Sequence, residues 1–166
     1  MSRLSGWHES DVVLAFRSLT REVQTDTLLD AALAEGKQLG LPRLVAGELR
    51  FHRVANVSLD LTRGSYGIEE PKPELPEIPL RTRIIALVPG LGFTPSGARL
   101  GRGGGYYDRF LQAYGHAVTA VGLCFDLQLR EELPTGEGDM PVDYVVTESG
   151  VIRCEGRGES PEGSRR

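Results

Sequence analysis

Two stretches, RIIALVP at 83–89 and AVTAVGLCF at 117–125, are apolar at consecutive positions, which a strand sustains only when both of its faces are buried. Between them YYDRFLQAY (106–114) has helical spacing and ends at Gly115. Strand, helix and strand in that order predict parallel neighbours joined by a right-handed helical crossover, since parallel strands cannot be linked by a tight turn. The same unit occurs earlier. VVLAF (12–16) reads as a buried strand, TDTLLDAALAEG as a helix capped by Thr25 and ended by Gly36, and KQLGLP as the next strand. ELRFHRV (48–54) adds a strand after a turn at Gly47, and VDYVVTESGVI adds a last one with a turn at Ser149 and Gly150. The expected fold is α/β, a mostly parallel central sheet covered by helices on both faces in a Rossmann-like three-layer build.

A chain of 166 residues, 40% of them apolar, can bury one core. A single domain over 1–154 is expected, with the polar, glycine-rich segment 155–166 disordered. GIEEPKPELPEIPL is too proline-rich for a helix or a central strand and is expected on the surface. The net charge of −4 argues against nucleic-acid or anionic-membrane partners. No run approaches the roughly 20 apolar residues of a membrane span. The opening MSRLSGWHES lacks the apolar core of a signal peptide, so a cytoplasmic location is expected. Cys124 and Cys154 lack metal-site spacing and read as buried or idle thiols.

The segment RLGRGGGYYDRFL (99–111) joins the strand at 83–89 to the helix at 106–114, at the carboxyl edge of the sheet where open α/β folds bind ligands. From Gly90 to Gly105 the sequence reads as a long loop without secondary structure, a length usually reserved for function. Its glycines admit a ligand close to the backbone, the helix start attracts anions, and Arg99 and Arg102 can grip phosphate oxygens. The loop has no lysine for a P-loop, and Tyr106 stands where the third glycine of a dinucleotide fingerprint belongs.

LVPGLGFTPSGARLGRGGGYYDRFL resembles the signature of the 5-formyltetrahydrofolate cyclo-ligase, or methenyltetrahydrofolate synthetase, family. FRSLTREVQTDTLL, GKQLGLPR, YGIEEP and ELPTGEGDMPVDYVVTESG resemble further family blocks in the same order, so the likeness spans about 11 to 152. It implies an enzyme that uses ATP and Mg²⁺ to close 5-formyltetrahydrofolate to 5,10-methenyltetrahydrofolate, releasing ADP and phosphate, as a monomer or homodimer. Arg99, Leu100, Gly101, Arg102, Gly103, Gly104, Gly105, Tyr106 and Tyr107 then correspond to the ATP-phosphate loop. Arg102, Gly103, Gly104, Gly105 and Tyr106 also face the folate, and Arg102 and Tyr106 are the expected catalytic pair. Asp108 and Asp139 correspond to magnesium ligands, and Glu22 to a folate-contacting glutamate. Arg17 and Tyr66 fall in folate-side segments.

Read without the family, Asp108 suits any helix start, Asp139 any turn, Glu22 a solvated helix entry and Tyr66 the core. Relatives often carry Asp where this chain has Thr94, His where it has Gly138 and, in some, Lys where it has Gly104. They also open with a basic helix ahead of the first strand, which the likeness does not include. Two alternatives therefore stand beside the cyclo-ligase reading. One is a shortened paralogue that binds nucleotide or folate with little turnover. The other is an enzyme of the wider architecture shared with sugar-phosphate isomerases and CoA transferases, acting on a different phosphorylated substrate.

Overall fold

The computed structural model describes residue 1, residues 3–81 and residues 83–155. Apart from Glu155, the expected tail lies outside the described residues. A short helix α1 (Ser5–Glu9) is followed by β1 (Val12–Leu14), α2 (Asp26–Ala34), β2 (Gln38–Val45) and β3 (Glu48–Val54). Strands β4 (Leu61–Arg63) and β5 (Glu69–Pro71) flank a 3-10 turn at Ser65–Gly67. Next come β6 (Ile84–Val88), β7 (Gly92–Phe93), β8 (Arg99–Leu100), α3 (Tyr106–Tyr114) and β9 (Val118–Leu123), then β10 (Tyr144–Thr147) and β11 (Gly150–Arg153).

Seven strands form one sheet in the order β11-β10-β9-β6-β1-β2-β3. Its centre is parallel, β1 pairing with β2 and β6, and β9 with β6 and β10. Both edges are antiparallel, so the sheet is mixed, while its four central pairings are parallel as expected. The reason is local at each edge. Ala46 and Gly47 take φ of 50° and 81°, the left-handed pair a two-residue hairpin needs, so β3 returns directly along β2. At the other edge the expected turn falls one residue earlier, at Glu148 and Ser149, and folds the last segment into the β10–β11 hairpin.

Alternation along the central strands feeds two separate cores. Val12, Leu14, Ile84, Ala86 and Val88 pack with Phe110 and Leu111 of α3. Val13, Ala15, Ile85 and Leu87 pack with Leu29 and Ala32 of α2 and with Trp7 of α1. Helix α1 was not expected from the sequence. Trp7 explains it, being 2% exposed and donating its indole N–H to the Glu35 carboxylate at 3.0 Å. Thr25 stands at the N-cap of α2 as expected, but its side chain caps no helix N–H. Its hydroxyl turns back to donate to the Phe16 carbonyl at 2.7 Å, tying the helix entry to the end of the β1 segment. The proline-rich stretch is also more ordered than a plain connection, for β5 pairs with β4, and Ile78, buried, donates its N–H to Phe51.

Cys124 and Cys154 are free and buried, and burial pushes both thiols up to about 11. They stay protonated at neutral pH, as the reading of idle thiols expects. No described helix is long and apolar enough to cross a membrane.

Candidate active site

The chain leaves β1 toward β2 on one side and later inserts β6 on the other, so the strand order reverses between β1 and β6. Such a switch point opens a crevice beyond the carboxyl ends of the two strands. A cleft of about 690 Å³ lies here, the size of a pocket for a cofactor or drug-sized ligand. Arg17 and Glu22 reach it from the segment after β1, residues 99–108 from the segment after β6, Tyr66 from the β4–β5 turn, and Asp139 from the turn before β10. Every site residue singled out in the sequence lines this one cleft.

The stretch from Gly90 to Gly105 is not the structureless loop expected. Its first half is a small hairpin in which β7 pairs with β8, Gly92 opposite Leu100 and Phe93 opposite Arg99. Phe93 is fully buried and seats against two glycines, since a Cβ at Gly90 or Gly122 would come within 2.8 or 2.3 Å of its ring. The pairing carries Arg99 inward with it. Only 4% of its side chain is exposed; Nη1 donates to the Pro89 carbonyl at 3.2 Å and Nη2 to Asp108 Oδ1 at 3.0 Å. Arg99 thus has both terminal nitrogens bound to the protein, whereas Arg102, paired with Glu22, keeps 57% of its side chain exposed.

Asp108 sits in the first turn of α3, and its Oδ1 also accepts the Met140 N–H at 3.0 Å. That bond pins the turn carrying Asp139 beside Asp108. Asp139 is exposed, and its Oδ2 closes the turn by accepting the Gly136 N–H at 2.8 Å. Each carboxylate therefore keeps one oxygen outside these bonds. Among the described residues no cluster of three or more His, Cys, Asp or Glu side chains is placed to hold a metal. Two carboxylates suit a hard ion that takes the rest of its shell from phosphate oxygens and water, so the donor set fits magnesium arriving with a nucleotide.

Glu22 bridges to the glycine loop. Its Oε2 accepts the Leu19 N–H at 2.8 Å and its Oε1 the Arg102 Nη2–H at 3.2 Å. Arg17 is held by Glu69, to which Nη2 donates at 2.9 Å, and by Asp26. Tyr66 is 81% exposed, so it is not core filler. It sits at φ 59°, in the left-handed region, with its hydroxyl 3.5 Å from that of Tyr106. The bond to Tyr106 raises its pKa. Tyr107 is raised further by burial, a shift that the nearby Arg99 charge opposes. Both hydroxyls remain protonated donors at neutral pH.

The family model described as the 5-formyltetrahydrofolate cyclo-ligase family matches residues 1–148. The chain belongs to the 5-formyltetrahydrofolate cyclo-ligase family. It is 38% identical over 144 residues to the 5-formyltetrahydrofolate cyclo-ligase of Escherichia coli K12, covering 84% of this chain and 79% of that one. It is 31% identical over 154 residues to the Saccharomyces cerevisiae cyclo-ligase, covering 79% and 72%. The solved 5,10-methenyltetrahydrofolate synthetase of Aquifex aeolicus superposes with a TM-score of 0.79 at 33% identity, over 99% of this chain and 82% of that one. A Mycoplasma pneumoniae synthetase, at 17% identity and a TM-score of 0.64, shares the fold.

Two of the departures from the cyclo-ligase pattern have a local setting. Thr94 supplies the turn acceptor an aspartate would, its Oγ1 taking the Ala98 N–H at 3.0 Å. A side chain at Gly104 would put Cβ 2.5 Å from the Tyr106 ring, so a longer residue there requires the ring to move. Sequence reading missed the burial of Arg99, the Met140 N–H on Asp108, and Arg109, whose guanidinium grips the loop from outside the cleft. A charged residue five positions past a glycine gives no signal of that kind in one sequence.

Proposed function

We propose that this chain closes 5-formyltetrahydrofolate to 5,10-methenyltetrahydrofolate with ATP and Mg²⁺, releasing ADP and phosphate. Residues 1–154 act as one cyclo-ligase domain of Rossmann-like three-layer build, in the cytoplasm, as a monomer or homodimer. The two cores packed against α3 and against α2 support the layered reading. The observation that carries the function is the meeting of the glycine loop, Arg102, Glu22, Asp108 and Asp139 in one cleft at the sheet's switch point.

The formyl oxygen of the substrate is amide-like and leaves poorly. Moving the γ-phosphoryl from ATP onto it makes it a phosphate and leaves ADP; N10 then attacks the formyl carbon and gives its proton to solvent, the C–O bond breaks, and inorganic phosphate departs. The chain's task is to hold and neutralise, which needs no nucleophilic side chain. Magnesium, when bound at Asp108 and Asp139, would supply charge neutralisation at the phosphate oxygens. Arg102 swings from Glu22 to the phosphates, and the N–H groups opening α3 lack intrahelical acceptors and complement the same charge. Glu22, once released, is available to the pterin N–H groups. Tyr66 and Tyr106 offer ring faces and hydroxyls to the folate side.

The direct test is methenyltetrahydrofolate absorbance with ATP and Mg²⁺. Turnover that requires both is expected, and nucleotide binding without any turnover would overturn the reading in favour of a binding module. A second expectation concerns Arg102→Ala. Losing one charge-assisted contact of about 1.5–3 kcal/mol should weaken ATP by on the order of tenfold to a hundredfold. Folate should weaken less, and calorimetric titration of each ligand checks the ratio.

A further inference from the structure

Arg109 lies outside the cleft, yet its side chain touches the parts that shape it. Nη1 donates to the Gly104 carbonyl at 3.0 Å, Nη2 to the Gly47 carbonyl in the β2–β3 turn at 3.1 Å, and the guanidinium lies 5.1 Å from the Tyr106 ring centroid. Helical side chains lean toward the N-terminus, so a residue in the first turn of α3 reaches back over the loop that precedes it. The fit is close on the glycine side. Gly105 stands at φ 68°, and a Cβ there would lie 2.9 Å from Arg109 Nη1, while one at Gly104 would meet the Tyr106 ring. The backbone at 104–105 thereby packs against both the guanidinium and the ring, and the guanidinium is anchored in the β2–β3 turn, 62 residues away.

We propose that Arg109 is a positioning residue, which fixes the glycine-loop backbone and the Tyr106 ring against the β2–β3 turn without touching substrate. This rests on the cyclo-ligase reading of the cleft for its effect on turnover, but not for its effect on the loop. The planar fork is what matters. Arginine can donate to two carbonyls on separate segments and stack on a ring at once, which the single ammonium of lysine cannot. Charge alone would therefore not replace it.

The test uses the full chain with Arg109→Lys and Arg109→Gln, read in two ways. Amide hydrogen exchange without ligand should quicken about tenfold in both variants at 103–106 and at 46–48, the size expected for losing roughly 1.4 kcal/mol of local closure. Because the side chain is exposed, the melting temperature should stay within about 2 °C of wild type. Turnover should lose about tenfold in kcat/KM for the folate in both variants, with metal-free ATP affinity within about twofold. Adding Arg109→Lys to Tyr106→Ala should then cost little more than Tyr106→Ala alone. Unchanged exchange in both variants overturns the proposal, as does wild-type kcat/KM in Arg109→Lys beside a loss in Arg109→Gln, which would mark a purely ionic role. If the wild-type chain shows no turnover, the cyclo-ligase reading fails and the exchange result alone decides the role of Arg109.

Discussion

Asp108→Asn should lose at least about a hundredfold in ATP- and Mg²⁺-dependent turnover, since removing a metal carboxylate forfeits several kcal/mol of charge stabilisation at the transferred phosphoryl. The sequence alone suggests that such a change leaves stability untouched, as for any carboxylate at a helix start. The structure argues otherwise. Asp108 has 19% of its side chain exposed and is the ionic partner of Arg99, at 4%. Asparagine keeps an oxygen for the Met140 N–H but leaves the guanidinium without a counter-charge. A cost of about 2 kcal/mol follows, or about 4–8 °C in melting temperature for a domain of this size. Asp139→Asn separates the two effects. Its carboxylate is exposed and bonds only within its own turn, so turnover should fall as far while the melting temperature moves by no more than about 2 °C. Full activity in either variant would remove that residue from the metal site, and an unchanged melting temperature in Asp108→Asn would show that the ion pair contributes little to the fold.

What the sequence discloses about this site divides along a physical line. The cleft's position is legible because it depends on periodicity alone: β6 ends at Val88, α3 begins at Tyr106, and whatever lies between must cross the carboxyl edge of the sheet. The meeting of distant carriers, Glu22 with Arg102 and Tyr66 with Tyr106, came through the family's blocks, since nothing local to either partner specifies the other. Roles within the cleft were less legible where a long-range pairing decides burial. Arg99 and Arg102 stand three positions apart in one glycine-rich run and look equivalent. Only the pairing of Phe93 with Arg99, made possible by the space above Gly90 and Gly122, turns one inward and leaves the other in solvent. Thr25 takes the N-cap position its sequence suggests, yet the partner of its hydroxyl is again decided at long range. Propensity favours threonine as a cap, but a buried carbonyl at Phe16 competes for the hydroxyl and wins.

That division makes Arg99 the arginine of the glycine loop whose loss should harm the fold more. Arg99→Met preserves bulk but leaves the Asp108 carboxylate with only the Met140 N–H among these partners, and leaves the Pro89 carbonyl without its donor. Breaking a fully buried pair from one side costs about 3–5 kcal/mol, and because Asp108 keeps 19% of its side chain exposed the cost here should be about 2–3 kcal/mol. Removing both charges is less harmful than the sum of the two single changes. The double variant Arg99→Met with Asp108→Asn should therefore show a coupling of about 1–3 kcal/mol relative to its singles, measured by urea unfolding with the slope checked for two-state behaviour. Ligand binding supplies the contrast. Were Arg99 a phosphate grip, Arg99→Met would weaken metal-free ATP as much as Arg102→Ala does. Held as it is by Pro89 and Asp108, it should weaken metal-free ATP several-fold less than Arg102→Ala while destabilising the chain far more. Additive unfolding energies together with an ATP loss matching that of Arg102→Ala would return Arg99 to the phosphate-binding set, and the structural role assigned to it would fall.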